Sequence, residues 1–367
     1  MKEEINLASN YPVLAEQQKL FDQFVPDFIS NYKNWLTVAP LKEMEEINQI
    51  AAKWISGNGP AIDPQSIIVA TGGHHAYLSI IIAIGLQGKS IAVEEYTYSN
   101  FINTAKMMNI TLIPCASDEF GMTPDSLLAV SRENEIKGIY LMPTVSNPEG
   151  KIMPEQRRIE LINIVRENQQ IIIEDDAYGF LEENSPLNFA QLAPDISFYI
   201  YSLSKPIAPP IKVAFVAAPL NFKPLIENVI LLITSNPSSL YTSLVIEMIK
   251  NGDLEKIIKL KQIEGNKRQA IVRSILDGYE MQAHPNAWHI WLRLPEGVTS
   301  IHFASELAKQ GIRVFPGAIF KTTDIKSDEF IRIAFGNEQD MEKMISGMNI
   351  IKYGLDNCWG ELVARTL

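Results

Sequence analysis

Cysteine is scarce in this 367-residue chain, which carries only Cys115 and Cys358. Their spacing fits neither a metal-binding pattern nor a disulfide framework, so they read as reduced thiols of a cytoplasmic protein. Long apolar runs are missing too: no stretch reaches the length that crosses a bilayer. The N-terminus, MKEEINLASNYPVL, lacks the charged-then-apolar build of a secretory leader. The acceptor-like tripeptide Asn109-Ile110-Thr111 therefore carries no weight. Basic residues are outnumbered, 32 Lys and Arg against 43 Asp and Glu, for a net charge of −11. Nucleic-acid binding relies on lysine and arginine meeting phosphate, and this balance argues against it. There is no internal repeat, no low-complexity tract and no Gly/Ser linker.

What remains is a chain with 46% hydrophobic residues, enough for a large core. Its middle alternates short apolar runs with helix-length segments. Strands are expected over residues 66–71, 90–95, 110–116, 138–144, 170–175, 198–202 and 213–219. Most are apolar on both faces, as strands covered on both sides must be. Segments 73–86 and 154–168 between them have helical spacing. Strand and helix in alternation predict an α/β domain around a parallel-rich sheet. After about residue 220 the texture changes. A lysine-rich helical stretch, 254–276, precedes three strand-like pieces at 289–294, 313–315 and 330–335. This gives a large domain over 31–250 and a smaller α+β domain over 251–367, with segment 1–30 packing on the latter. With no linker between them, the two share an interface, a common place for ligand sites.

Ligands of open α/β sheets sit beyond the carboxyl ends of the strands. Those ends carry Gly72-Gly73-His74-His75, then Tyr96-Thr97-Tyr98, Val145-Ser146-Asn147-Pro148, Asp175-Asp176-Ala177-Tyr178 and Ser204-Lys205. A lysine, a buried acid and an anion cradle at neighbouring strand ends suit pyridoxal 5′-phosphate. Its aldehyde joins a lysine amine, its ring nitrogen pairs with a carboxylate, and its phosphate takes N–H and O–H donors.

These stretches resemble the motifs of class I/II, fold-type-I aminotransferases. The likeness is strongest to the aminotransferase-like domain of MocR-type regulators and to kynurenine and aminoadipate aminotransferases. "PTVSNPEG" is similar to that group's Pro-Thr-x-x-Asn-Pro-x-Gly, "EDDAYG" and "YSLSK" match almost letter for letter, and "INLASNYP" resembles the opening of the domain. The resemblance covers nearly the whole chain. It implies the fold-type-I architecture, with a mixed, mostly parallel seven-stranded sheet. It also implies a homodimer whose substrates are an α-amino acid and a 2-oxo acid, with no metal, membrane or nucleic-acid partner.

Roles follow by resemblance. Lys205 would form the Schiff base and then carry the proton as general base and acid. Asp175 would pair with the ring nitrogen. Asp176 is the competing choice, and alternation puts the two carboxylates on different sides of the strand end. Tyr178 and Asn147 would bond the ring O3′, and Tyr98 would stack on the ring face. Gly72, Gly73 and His74 would open a helix whose N-terminus receives the phosphate, with Ser202, Ser204 and Lys212 adding donors. Arg332 in "FIRIAFG" would clamp the substrate α-carboxylate, with Asn147 touching the same group.

The chain also departs from the pattern. The family's Pro-Gly-x-Arg-x-Gly reads Pro209-Pro210-Ile211-Lys212-Val213-Ala214 here. The phosphate-gripping arginine is thus Lys212, a point charge in place of a fork, and Pro210 stiffens the loop. His74 stands where a glutamine or small polar residue is common. Around WLTVAPLKEM, residues 35–44, the tyrosine that reaches the neighbouring subunit's site is missing, with Trp35 a candidate replacement. Two alternatives to transamination stay open: a β-lyase on the same scaffold, and a cofactor-bound sensor without turnover.

Overall fold

Seven of the apolar runs become one sheet in the computed structural model, which describes residues 4–33, 41–322 and 329–360. The strands are β1 Ile67–Ala70, β2 Ser90–Glu94, β3 Thr111–Cys115, β4 Ile136–Leu141, β5 Ile171–Asp176, β6 Ser197–Ser202 and β7 Ala214–Ala217. Their order across the sheet is β1-β7-β6-β5-β4-β2-β3. All neighbours are parallel except β7, which runs antiparallel to both β1 and β6. Its reversal follows from a short connection. Residues 203–213 turn back directly, closed by Leu203 N donating to Val213 O at 3.0 Å, and no helix crosses over. Strand β4 stops short of the expected residue 144 because Pro143 has no N–H for the ladder.

Apolar side chains leave both faces of the sheet and enter separate cores. Ile68, Ala70, Tyr140, Ile173, Phe198 and Ile200 point to one side. Ile67, Val69, Tyr199, Tyr201 and Phe215 point to another. Helices α1 Gly73–Ala83 and α2 Glu155–Glu167 are among those that cover the faces.

The C-terminal third forms a four-stranded antiparallel sheet. Its strands are β8 Met281–Gln282, β9 His289–Arg293, β10 Phe315–Pro316 and β11 Phe330–Ala334, ordered β8-β9-β11-β10. Helix α3, Asp253–Ile275, leads into it from the large sheet. The start of the chain crosses to this region. Ile5–Asn6 pairs in parallel with Ile312–Arg313, and Ala334 N donates to Leu7 O at 2.7 Å. The next helix, Ala15–Asn31, returns to the large unit, where Gln17 Nε2 donates to Ile207 O and Phe28 enters the second core. Segment 4–31 therefore touches both units. No helix among the described residues is long and apolar enough to cross a membrane.

Candidate active site

Lys205 sits in the turn between β6 and β7, at the strand end where the two antiparallel neighbours meet. Its amine has no carboxylate partner among the described residues. It donates to Asn10 O and lies 3.6 Å from the centroid of the Tyr11 ring, with the Tyr178 ring further off at 5.9 Å. Burial, then the positive charges of Arg332, Lys212 and Lys261, hold this amine well below the ordinary lysine range. A buried amine in the company of cations is more easily neutral, and a neutral amine is a nucleophile and a base.

Alternation along β5 separates the two aspartates. Asp175 accepts from Tyr140 Oη at 2.8 Å. Asp176 points to the other face, where it accepts from Tyr199 Oη at 2.7 Å and Gly179 N at 2.6 Å. Asp176 therefore fastens the strand to the turn that follows it. Asp175 is buried, and burial first, with Asp176 adding to it, pushes its carboxyl up to about 6. Its charge in turn helps raise the hydroxyls of Tyr98 and Tyr178.

The glycines after β1 form a cradle. Gly72 has φ +83°, a conformation that suits glycine, and caps α1. A Cβ on Gly73 would lie 3.4 Å from Ser202 Cβ, and one on Gly72 would lie 3.7 Å from Lys212 Cδ. The first backbone bond of the helix is Ala76 N to Gly72 O, which leaves the N–H groups of residues 73–75 without helical acceptors. Gly72, Gly73, Ser202 and Lys212 thus converge on one helix end. Ser204, expected among the phosphate donors, donates its hydroxyl to Ile211 O at 3.1 Å across the Lys205 turn. His74, expected at the phosphate, hydrogen-bonds Tyr98 Oη at 2.7 Å through Nε2. Asn100 donates to the same Oη at 3.0 Å, so the tyrosine is held from two sides. His75 points elsewhere and accepts from Thr71 N at 3.0 Å.

On the far side stands Arg332, buried in β11 between the rings of Phe315 and Phe320, each 5.0 Å away. It donates to Asn147 Oδ1 at 2.9 Å and to Ala8 O at 2.6 Å, while its Nε has no partner. Asn147 thereby has its oxygen engaged and its NH₂ group available. Tyr178 Oη accepts from Asn10 Nδ2 at 3.1 Å, which leaves the hydroxyl proton free for another acceptor. The same Asn10 amide approaches His289 Nδ1 at 3.4 Å. His289 is buried, and burial and Arg332 drive its imidazole down to about 3, so it is neutral.

Among the expected residues, Lys205 approaches Tyr178, Arg332 bonds Asn147, and Gly72, Gly73, Ser202 and Lys212 meet at one helix end. Sequence reasoning missed Asn10, Tyr11, Tyr140 and His289. Only the first two had a local signal, the "INLASNYP" stretch, and nothing in that text tells which of its side chains turn inward. Trp35 lies outside the described residues. The donor set suits pyridoxal phosphate. A glycine cradle that a Cβ would narrow meets a serine and a lysine at one end, and a buried carboxylate that lacks a cation waits at another. Among the described residues there is no cluster of three or more His, Cys, Asp or Glu side chains placed to hold a metal.

The family model described as aminotransferase class I and II matches residues 2–347. An uncharacterized HTH-type transcriptional regulator of Bacillus subtilis, YdeF, is 25% identical over 350 residues, covering 95% of this chain and 74% of that protein. The 2-aminoadipate transaminase of Thermus thermophilus is 24% identical over 303 residues, covering 78% of this chain and 73% of its own. Among solved structures, the α-aminoadipate aminotransferase LysN from Thermus thermophilus, complexed with N-(5′-phosphopyridoxyl)-L-leucine, superposes with a TM-score of 0.84. The two share 18% identity, over 97% of this chain and 93% of that one.

Proposed function

The chain belongs to the aminotransferase class I and II family, and on that footing we propose that it moves an amino group between an α-amino acid and a 2-oxo acid at the Lys205 site. Bound pyridoxal phosphate supplies the electron sink for charge that develops at the substrate Cα. The side chains do the rest. Arg332 fixes the α-carboxylate with a charged fork, and Asn147 holds the fork in plane. That clamp leaves the Cα proton facing the Lys205 amine. Because burial and neighbouring cations favour the neutral amine, Lys205 would take that proton from Cα and deliver it to the carbon on the other side of the transferred nitrogen. The same lysine acts in both half-reactions, so one site serves donor and acceptor.

Asp175 holds the ring-nitrogen end, where a cation would restore its ordinary ionised state. Tyr178 and the Asn147 amide donate toward O3′, and Tyr98, steadied by His74 and Asn100, covers the ring face. Gly72, Gly73, Ser202 and Lys212 receive the phosphate. The observation that carries this reading is the state of Lys205. Its amine is partly buried, touches a carbonyl and an aromatic face, and has no acid to keep it charged.

A homodimer belongs to the proposal. Leu225, Leu231, Leu232, Ile233 and Tyr241 form an exposed apolar run that supports a second copy as its cover. A reducing, cytoplasmic setting is supported by two free thiols.

The test uses the full chain loaded with pyridoxal phosphate, incubated with mixed amino donors and a 2-oxo acid. Transfer should appear in wild type and vanish in Lys205→Ala, and borohydride should trap the cofactor on Lys205 in wild type alone. Pyruvate and ammonia from a β-substituted amino acid would mark a lyase instead. Trapping without any amino transfer would mark a sensor.

A further inference from the structure

Lys261 is a second lysine near the site that the proposed chemistry does not use. It lies in α3 and is 0% exposed. No carboxylate pairs with it among the described residues. Its amine donates to Lys205 O at 2.8 Å and to Ile207 O at 2.7 Å. Both acceptors belong to the turn that carries Lys205; Ile207 O is shared with Gln17 Nε2, so Lys205 O is the acceptor that Lys261 meets by itself. Burying a lysine is costly unless its donors are met. Here two carbonyls meet the two N–H groups of a neutral amine, the form that burial favours.

The backbone that holds Lys261 is itself fixed. Trp288 Nε1 donates to Lys261 O at 3.1 Å. Gln262 donates to Phe180 O at 2.8 Å, just beyond Tyr178. One turn further along, Gly265 lies so close to the next segment that a Cβ would fall 2.3 Å from Asn286 O. Gln269 then donates to Ala287 O and His289 O, both at 2.9 Å. The helix is therefore a strut that ties the Lys205 turn to the sheet bearing Arg332.

We propose that Lys261 is a positioning residue: its two hydrogen bonds fix the Lys205–Pro206 and Ile207–Ala208 peptides and so set where the Lys205 amine returns after each proton transfer. This rests on the role given to Lys205 above. A displacement of about 1 Å in such a group costs about a hundredfold in rate.

The experiment compares Lys261→Met, which keeps the apolar stem and removes both donors, with Lys261→Gln, which keeps two N–H groups on a shorter stem. Two readouts are taken on each full-length protein. The first is the rate at which Lys205 captures pyridoxal phosphate, followed by absorbance and confirmed by borohydride trapping and peptide mass. The second is kcat and KM for an amino donor. Lys261→Met should capture cofactor at least about tenfold more slowly and lose about a hundredfold in kcat with KM nearly unchanged, as for a misplaced base. Lys261→Gln should recover part of both. Wild-type capture and kcat in a folded Lys261→Met would overturn the proposal, and so would equal losses in kcat and KM that follow the melting temperature. If Lys261→Met does not fold, Lys261→Gln decides: slowed capture at an unchanged melting temperature supports the role, and wild-type capture refutes it. Should wild type trap cofactor on Lys205 yet transfer no amino group, the functional reading fails while the capture comparison still judges Lys261.

Discussion

Replacing Arg158 by methionine strands a carboxylate directly behind the site. Arg158 is fully buried in α2 and pairs with Glu174 at 3.0 Å. It also donates to Met153 O at 3.1 Å and Thr144 Oγ1 at 2.8 Å, so it ties β5 to the strand end that carries Asn147. Breaking a buried pair from one side costs about 3–5 kcal/mol, because the remaining charge stays desolvated. The pH dependence sharpens the test. In wild type, burial outweighs Arg158 and pushes Glu174 up to about 7. An acid raised on folding contributes stability at low pH and loses it as pH climbs through its folded value, by up to about 1.4 kcal/mol per unit. Without the guanidinium Glu174 rises further, so the variant keeps losing stability where wild type has levelled off. Between pH 6 and pH 8 the gap between the two proteins should widen by about 1 kcal/mol. Denaturant unfolding at both pH values measures it. In Arg158→Met/Glu174→Gln the buried charge is gone, while Phe189 N, which donates to Glu174 Oε2 at 2.7 Å, keeps an acceptor in the glutamine oxygen. That double variant should recover most of the stability and show no widening. A gap that is the same at both pH values, or a double variant no more stable than the single, would refute the account.

Three further outcomes are expected. Arg332→Lys should raise KM for the amino donor by about ten- to a hundredfold while cofactor absorbance is unchanged, since a point charge replaces a fork; an unaltered KM would remove Arg332 from the clamp. Tyr140→Phe deletes a bond that lowers the Asp175 carboxyl, so in the cofactor-free protein that carboxyl should titrate above about 6, followed by infrared spectroscopy across pH; an unmoved carboxyl would show that the bond does not hold it down. Leu232→Asp puts a charge on a residue that is 78% exposed in a single chain; sedimentation should show monomers where wild type sediments as a dimer, and an unchanged mass would place the interface elsewhere.

Much of the scaffold could be read from the text because its signals are local. The apolar runs that end at Ala70, Glu94, Asp176 and Ser202 are strands bounded close to where composition places them. Pattern does not carry direction, however. The antiparallel sense of β7 depends on how tightly residues 203–213 turn. The run over 313–315 splits into Ile312–Arg313 and Phe315–Pro316, which join different sheets. Site residues were legible where a motif surrounds them, as with Lys205 and Tyr178. Those contributed from a distance were not. Asn10 meets Tyr178 across 168 positions, and Tyr140 meets Asp175 across 35. Lys261 looks like one more lysine in a lysine-rich helix, and nothing in the text marks it as buried.

The first residues of the chain have a bearing on how the protein is made. Leu7 O waits for Ala334 N, Ala8 O waits for Arg332, and Ile5–Asn6 has its partner at Ile312–Arg313. A ribosome therefore releases the opening segment long before anything exists for it to grip. The large sheet can form around Lys205 during synthesis, but the carboxylate clamp proposed above assembles only when Phe330–Ala334, the last strand among the described residues, emerges. On the role proposed for Arg332, substrate recognition is a late event in the life of each new molecule, and a product truncated before that strand holds Lys205 without the residue that would select what reaches it.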